Sequence, residues 1–340
     1  MAAVMPMPKL VVEEREARPF PPKVPPYGYV RLVETGQLVG TGWHPELPDT
    51  RDYTEEHPEV VQIIEKLGIT RARKALKLAL PAQVDLRQWC SPIEDQQMLG
   101  SCTANAAVGV VEYFERRAFN NYIDGSRLFI YKTTRNLLGW VGDTGAYIRT
   151  TMGALKMFGV PPETYWPYTD RQEPGVSGER TFDAEPTAFI YQFGARFNAV
   201  KYVCHDPFGT PIAPPTLLNN LKTYLAASIP IIFGFYVFPS YTQADVRGAF
   251  PYPAPGEKAF AGHAIVAVGY DDNLKITNLA SKKTTTGALL IRNSWGTSWG
   301  NAGYGSLPYD YVLSQYAQDF WSLLAMNWID TKQFGLQVTP

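Results

Sequence analysis

Cys102 directly follows Gly100-Ser101 and stands at the head of a helical pattern running from Thr103 to Phe119. A thiol in the first turn of a helix sits among unpaired backbone N–H groups at the positive end of the dipole, which favours the thiolate. His263 heads an apolar strand pattern over 264–270, and Asn293 closes another over 288–293, just before Trp295 and Trp299 in a glycine-rich loop. A thiol, an imidazole and a carboxamide are the groups that nucleophilic acyl transfer uses. Each also has a plain structural reading. A free cysteine is more often a buried, inert hydrophobe, and a lone histidine heading a strand is more often a satisfied structural residue.

The surrounding residues change that balance. Gln96 and Cys102 form a Gln-x5-Cys pattern, Gly262-His263-Ala264 leads into Val268-Gly269-Tyr270, and Asn293-Ser294-Trp295-Gly296 is followed by Trp299-Gly300. Val84-Asp85-Leu86-Arg87 precedes them, and Gly145-Ala146-Tyr147 leads through Phe158-Gly159-Val160 to Tyr165-Trp166-Pro167-Tyr168. In types and in order these five segments, from about residue 84 to about 310, resemble the papain/cathepsin family of cysteine peptidases.

The resemblance implies roles. Cys102 would attack a peptide carbonyl as thiolate, His263 would pair with it and protonate the leaving amine, and Asn293 would orient the imidazole. Trp295 would shield that bond and border the substrate, and Gln96 would offer its amide to the oxyanion. Gly145 and Ala146 would pair with extended substrate, and Gly262 would help floor the specificity pocket. No cofactor and no metal site are implied.

The pattern departs from the family in places. Thr103 stands where an aromatic residue is usual, and Ala146 replaces a second glycine. Leu99 and Asp143 occupy both positions of a disulfide found in plant and lysosomal members, which suits a bacterial-like or intracellular branch. His263 and Asn293 lie further from Cys102 than the roughly 130–150 residues usual there, an excess assigned to insertions around 170–215 and 272–287.

The elements that must position these groups are legible as patterns. Val60, Ile63, Ile64 and Leu67 have helical spacing before Gly68, and Arg71–Leu80 reads as a second short surface helix. Helices are expected over Ala146–Phe158 and Leu217–Ala227, and strands over Tyr29–Val33, Ile231–Phe238, Ala264–Tyr270, Ala288–Asn293 and Phe320–Leu324. The fold class is therefore α+β. The resemblance makes it a papain-like two-lobe fold, with a helical left lobe, a β-barrel-like right lobe and the active site in the cleft between them. The expected divisions are an N-terminal extension or propeptide over 1–80, a helical lobe over 81–195 and a β-rich lobe over 196–340.

Composition agrees with a packed enzyme. Of 340 residues, 45% are hydrophobic and 13% aromatic, and a net charge of −1 excludes a dedicated nucleic-acid binder. No apolar run is long enough to span a membrane and no signal peptide is visible, which slightly favours the cytoplasm. Cys90, Cys102 and Cys204 are expected reduced, or Cys90 paired with Cys204 in an oxidising compartment. His44, His57 and His205 are expected on the exposed surface. The partners expected are peptide or protein substrates, with the N-terminal segment acting as an intramolecular inhibitor of a zymogen or as a permanent extension. The function expected is a cysteine endopeptidase. The rivals are a peptide ligase or transpeptidase on the same site and a non-catalytic papain-like binding protein.

Overall fold

The computed structural model describes residues 28–45, 49, 52–70, 80–175, 178, 180–197, 199–207, 212–244 and 247–329. The helix pattern expected over 71–80 lies almost wholly outside them. The chain opens with a hairpin of β1 (Gly28–Arg31) and β2 (Leu38–Thr41), followed by α1 (Pro58–Lys66). Pro58 suits the first turn, where its missing N–H costs nothing, and His57 caps the helix by accepting from the Glu59 amide at 3.3 Å. Val60 and Ile64 bury the apolar face of α1 against the sheet described below.

Three helices build one lobe. The first, α2 (Cys102–Phe119), is buried from Cys102 to Glu115, the all-round burial of a central core helix. α3 (Arg127–Leu138) has a true cap, Ser126 Oγ accepting from Phe129 N at 3.2 Å, and stops at Gly139 in the left-handed region. α4 (Ile148–Phe158) starts two residues later than the pattern suggested, because Ala146 is taken up as an extended residue paired with Trp43. A short α5 (Ala188–Gly194) follows.

The other lobe is one seven-stranded antiparallel sheet. β3 (Gln83–Asp85), β4 (Ala199–Cys204), β5 (Ile231–Val237), β6 (Ala261–Thr277), β7 (Thr284–Arg292), β8 (Tyr304–Pro308) and β9 (Ala317–Met326) contribute to it. The order is β4-β9-β5-β6-β7-β8, with β3 added to β6. Helices α6 (Pro214–Ala226) and α7 (Tyr309–Leu313) pack beside it. The pairing path ends openly at β4 and β8, so among the described residues the sheet is not closed into a barrel. Residues 272–287, one of the two stretches assigned to insertions, extend β6 and β7 into a hairpin. Thr277 and Thr284 face each other through a 2.8 Å hydroxyl bond, and Asn278 and Lys282 close the turn.

Of the two states open to the cysteines the structure has the reduced one, and the expected exposure of the histidines is corrected. All three cysteines are free and buried, so Cys90 and Cys204 are not paired. His205 is buried, bonded to Ser322 Oγ at 2.8 Å and packed edge-on to Tyr224, while His44 and His57 are half-buried. No helix among the described residues is long and apolar enough to cross a membrane.

The lobes meet where α2 lies against β5 and β6. Arg292, the last residue of β7, runs under α2 and donates to Ser91 Oγ at 3.0 Å and Pro92 O at 2.7 Å. Gly109 of α2 makes room for it, since a Cβ there would lie 2.2 Å from Arg292 Nη1. Gly109→Ala should therefore destabilise the fold by about 1–3 kcal/mol despite alanine's better helix propensity. Denaturant unfolding would measure this, and a gain in stability would contradict the packing.

Candidate active site

The N-terminus of α2, the head of β6 and the end of β7 converge on one place. Cys102 is the first residue of α2 and is fully buried. The backbone amides of Ala264, Gly42 and Thr103 lie near its sulfur and favour the thiolate, against the effect of burial. Ala264 is the residue after His263, so thiol and imidazole share one end of the cleft. His263, opposite Phe235 of β5, bonds through Nε2 to Asn293 Oδ1 at 2.8 Å. Asn293 Oδ1 also accepts from Ser294 N at 2.8 Å, which fixes the carboxamide with its oxygen toward the ring. Nε2 is therefore the donor, and the buried Nδ1 is left bare, with no hydrogen-bond partner. Trp295 stacks on the imidazole at 4.5 Å and 22° and is itself completely buried, behind His263 rather than in the open cleft.

Gln96 is held beside this pair from the opposite bank. Its backbone N–H reaches Ser294 O at 2.9 Å and its Oε1 accepts from Ser294 Oγ at 2.6 Å, tying the loop before α2 to the loop after β7. That leaves Nε2 to donate, to Leu99 O at 2.8 Å and to Gly40 O at 2.9 Å. All four residues expected to act on the reacting bond thus meet in one buried cluster.

The N-terminal segment fills the cleft. Gly40 N donates to Gln97 O at 2.8 Å, Ala146 N to Gly42 O at 2.8 Å, Trp43 N to Gly262 O at 3.1 Å and His44 N to Ala146 O at 3.2 Å. Residues 40–44 therefore form a strap that pairs in parallel with Ala146 and touches every backbone expected to hold substrate. The approach allows no extra atoms: a Cβ on Gly145 would lie 2.2 Å from Gly42 O, and one on Gly42 would lie 2.2 Å from Gly100 O. His44 then lodges between Trp140 and Tyr147 with Nε2 at 2.6 Å from Thr144 O, and Asp52 anchors the far end through two 2.6 Å bonds to Arg149. Only Gly40-Thr41-Gly42-Trp43, small residues before one large aromatic, could have signalled this crossing.

Comparison with known proteins decides the family. Residues 80–315 match the model of the papain family of cysteine proteases. The chain belongs to that family. An uncharacterized peptidase C1-like protein of Acanthamoeba polyphaga mimivirus is 35% identical over 243 residues, covering 70% of this chain and 71% of that one. The crystal structure of xylellain, a cysteine protease from Xylella fastidiosa, aligns with TM-score 0.63 and 31% identity over 83% of this chain and 95% of its own. Peptidase 1 of Psoroptes ovis is 27% identical over 234 residues, and there the chain spans 60% of the relative's length.

Set in the papain family, the departures at residues 103 and 143 acquire a structural account. Asp143, where relatives carry a bridging cysteine, accepts from Gly100 N at 3.0 Å and from the Tyr131 hydroxyl. That hydroxyl in turn accepts from Gly145 N at 3.1 Å. A carboxylate thus joins the loop before Cys102 to the loop of Gly145, the two segments a disulfide would join. Thr103 is buried and bonds to Thr151 Oγ1 of α4 at 3.0 Å, a helix contact rather than a cleft wall.

Burial under the strap sets the protonation of the pair. It pushes the Cys102 thiol up to about 12, against the opposing backbone N–H bonds, and pulls His263 down to about 4, against the Asn293 bond. Covered, both groups are therefore neutral at pH 7. Uncovering should lower the first and raise the second, so a proton exchanged between them would need no net uptake, and opening should be nearly independent of pH near neutrality. Ultraviolet thiolate absorbance should be absent from the intact chain at pH 7 and present in Gly42→Val, whose new side chain cannot fit against Gly100. Equal absorbance in both would show that the strap does not control the ion pair.

Proposed function

We propose that this papain-family cysteine peptidase is an endopeptidase that uses Cys102, His263, Asn293 and Gln96, and that residues 28–45 hold it in a covered, inactive state. The observation that carries the reading is the bare Nδ1 of His263, held by the 2.8 Å Asn293 bond on one side and left with no acceptor or donor of its own on the other. An imidazole so arranged can take a proton at one atom only.

The chemistry follows from that geometry. With the strap displaced, His263 Nδ1 takes the Cys102 proton, and the sulfur attacks the carbonyl carbon of a bound peptide. The oxyanion forms where Gly40 O now sits and accepts from Gln96 Nε2, with the amide of Cys102 as second donor. His263 then gives its proton to the leaving amine as the C–N bond breaks, leaving a thioester. Water attacks the thioester, its proton returns through His263, and the acid departs as the thiol reforms. Asn293 keeps the ring in plane throughout, and Trp295 excludes water from the Asn293 bond.

The strap suits an inhibitor rather than a substrate. It offers the sulfur the N–H of Gly42 in place of a carbonyl carbon, and it spends the Gln96 donor on the carbonyl of Gly40. Trp43, fully buried, adds about 2–3 kcal/mol to its hold.

The test is labelling with an epoxide-type thiol-peptidase inhibitor, with the adduct located by mass spectrometry and peptide hydrolysis measured alongside. The intact chain should label slowly at Cys102, Gly42→Val should label fast, and Cys102→Ser should not label at all. Gln96→Ala in the opened chain should lower kcat by about 10²–10³. Failure of the opened chain to label or to hydrolyse any peptide would defeat the reading.

A further inference from the structure

Tyr168 closes the Tyr165-Trp166-Pro167-Tyr168 segment, and its side chain is half-buried beside the loop that leads into Cys102. Its hydroxyl stands between two groups on that loop, 2.8 Å from the carbonyl of Gln96 and 2.6 Å from Ser101 Oγ. A carbonyl can only accept, so the phenolic proton goes to Gln96. The Ser101 hydroxyl then donates to the Tyr168 oxygen and accepts in turn from Asn105 Nδ2 at 3.0 Å. The chain from Asn105 through Ser101 and Tyr168 to Gln96 therefore runs in one direction, and each bond polarises the next. Burial raises the phenol well above its ordinary value, against the Ser101 bond, so the hydroxyl keeps the proton it donates. The ring has its own supports. Arg127 lies over its face at 4.7 Å, and Glu163, paired with Arg127 at 3.2 Å, accepts the Tyr168 amide.

Those contacts bear on both oxyanion donors. Gln96 supplies one through Nε2, and its carbonyl belongs to the peptide that leads to Gln97, a residue in the left-handed region with φ 52°. A non-glycine residue there is strained and depends on its surroundings to hold it. The Gln96 carbonyl also accepts from Leu99 N, at a longer 3.3 Å. The second donor is the Cys102 amide, which shares a peptide plane with the Ser101 carbonyl. That carbonyl accepts from Asn105 N and Asn105 Nδ2, both at 3.0 Å. We propose that Tyr168 is a positioning residue for the acyl transfer: by bridging Gln96 to Ser101 it sets the spacing of the two oxyanion donors, Gln96 Nε2 and the Cys102 amide. It acts through them and not on the substrate. This rests on the peptidase reading above, because it adds a part to the same site. Ser294 fixes the Gln96 side chain from the β7 side, while Tyr168 fixes the Gln96 backbone from the helical lobe. Without the hydroxyl, the turn from Gln96 to Leu99 would keep its longer bond, and the Ser101 hydroxyl would lose its acceptor.

The experiment uses the full-length Gly42→Val chain with and without Tyr168→Phe, which keeps the ring and removes the hydroxyl. Peptide hydrolysis gives kcat and KM. Labelling by a peptidyl epoxide reports on the thiol alone, because the sulfur opens the epoxide ring at carbon and no acyl oxyanion forms. Tyr168→Phe should lower kcat about three- to tenfold, with KM and the labelling rate held within about twofold. In a Gln96→Ala background the same substitution should change kcat by less than about twofold, since the donor it positions is gone. Ser101→Ala, which leaves the phenol in place, should lower kcat in the same direction with labelling unchanged, and it decides the matter if Tyr168→Phe does not fold. An unchanged kcat in either folded variant overturns the assignment. So does an equal loss of kcat and labelling, the mark of a purely structural role, or a loss fully additive with Gln96→Ala. If the Gly42→Val chain with Tyr168 intact neither labels nor hydrolyses, the peptidase reading itself fails and the assignment falls with it.

Discussion

The covered state depends on one contact, backbone lying directly on backbone at Gly42. Its carbonyl accepts from Ala146 at 2.8 Å, its Cα faces Gly100 with no room for a methyl group, and its amide lies near the Cys102 sulfur. A bulkier residue at 42 or 145 would lift the strap from both lobes at once. Everything else follows from that closeness: the burial of Cys102 and His263, their neutral forms, and the seating of Trp43 and His44 in pockets on either side.

The scaffold beneath is stiff for physical reasons of its own. α2 is buried almost throughout and cannot shift without moving β5, β6 and Arg292 together. The loops that carry Gln96 and Asn293 are laced by Ser294, which bonds to Gln96 with backbone and side chain alike. The Asp143–Tyr131 pair couples the Cys102 loop to the Gly145 loop without a disulfide. Such a site tolerates a reducing compartment, because no covalent bridge between the described cysteines holds it.

The cleft is built to be filled by an extended chain. Its donors and acceptors at Gln96, Ala146 and Gly262 are all engaged by the strap, so the strap satisfies the buried polar groups that a substrate would otherwise meet. Displacing it exchanges one set of backbone bonds for another. Trp43 adds a side-chain anchor, its indole N–H donating to Asp319 at 2.9 Å.

By itself the sequence determined the family and singled out the residues proposed to carry its chemistry. Cys102, His263, Asn293 and Gln96 were legible because each stands in a local motif whose neighbours, a helix start, a strand head, a Trp-Gly loop, are fixed by short-range preferences. The long strands and α2 were legible from apolar runs. The weaker elements, α3, β4 and β8, were not, since their patterns are short or interrupted and pairing partners complete them. Only the tertiary structure decided that 40–44 cross the cleft, that Asp143 replaces a bridge, and that Asp319 floors the Trp43 pocket. Each of those joins residues far apart in the chain, Trp43 and Asp319 most of all, and no local pattern records which distant backbone a segment will meet.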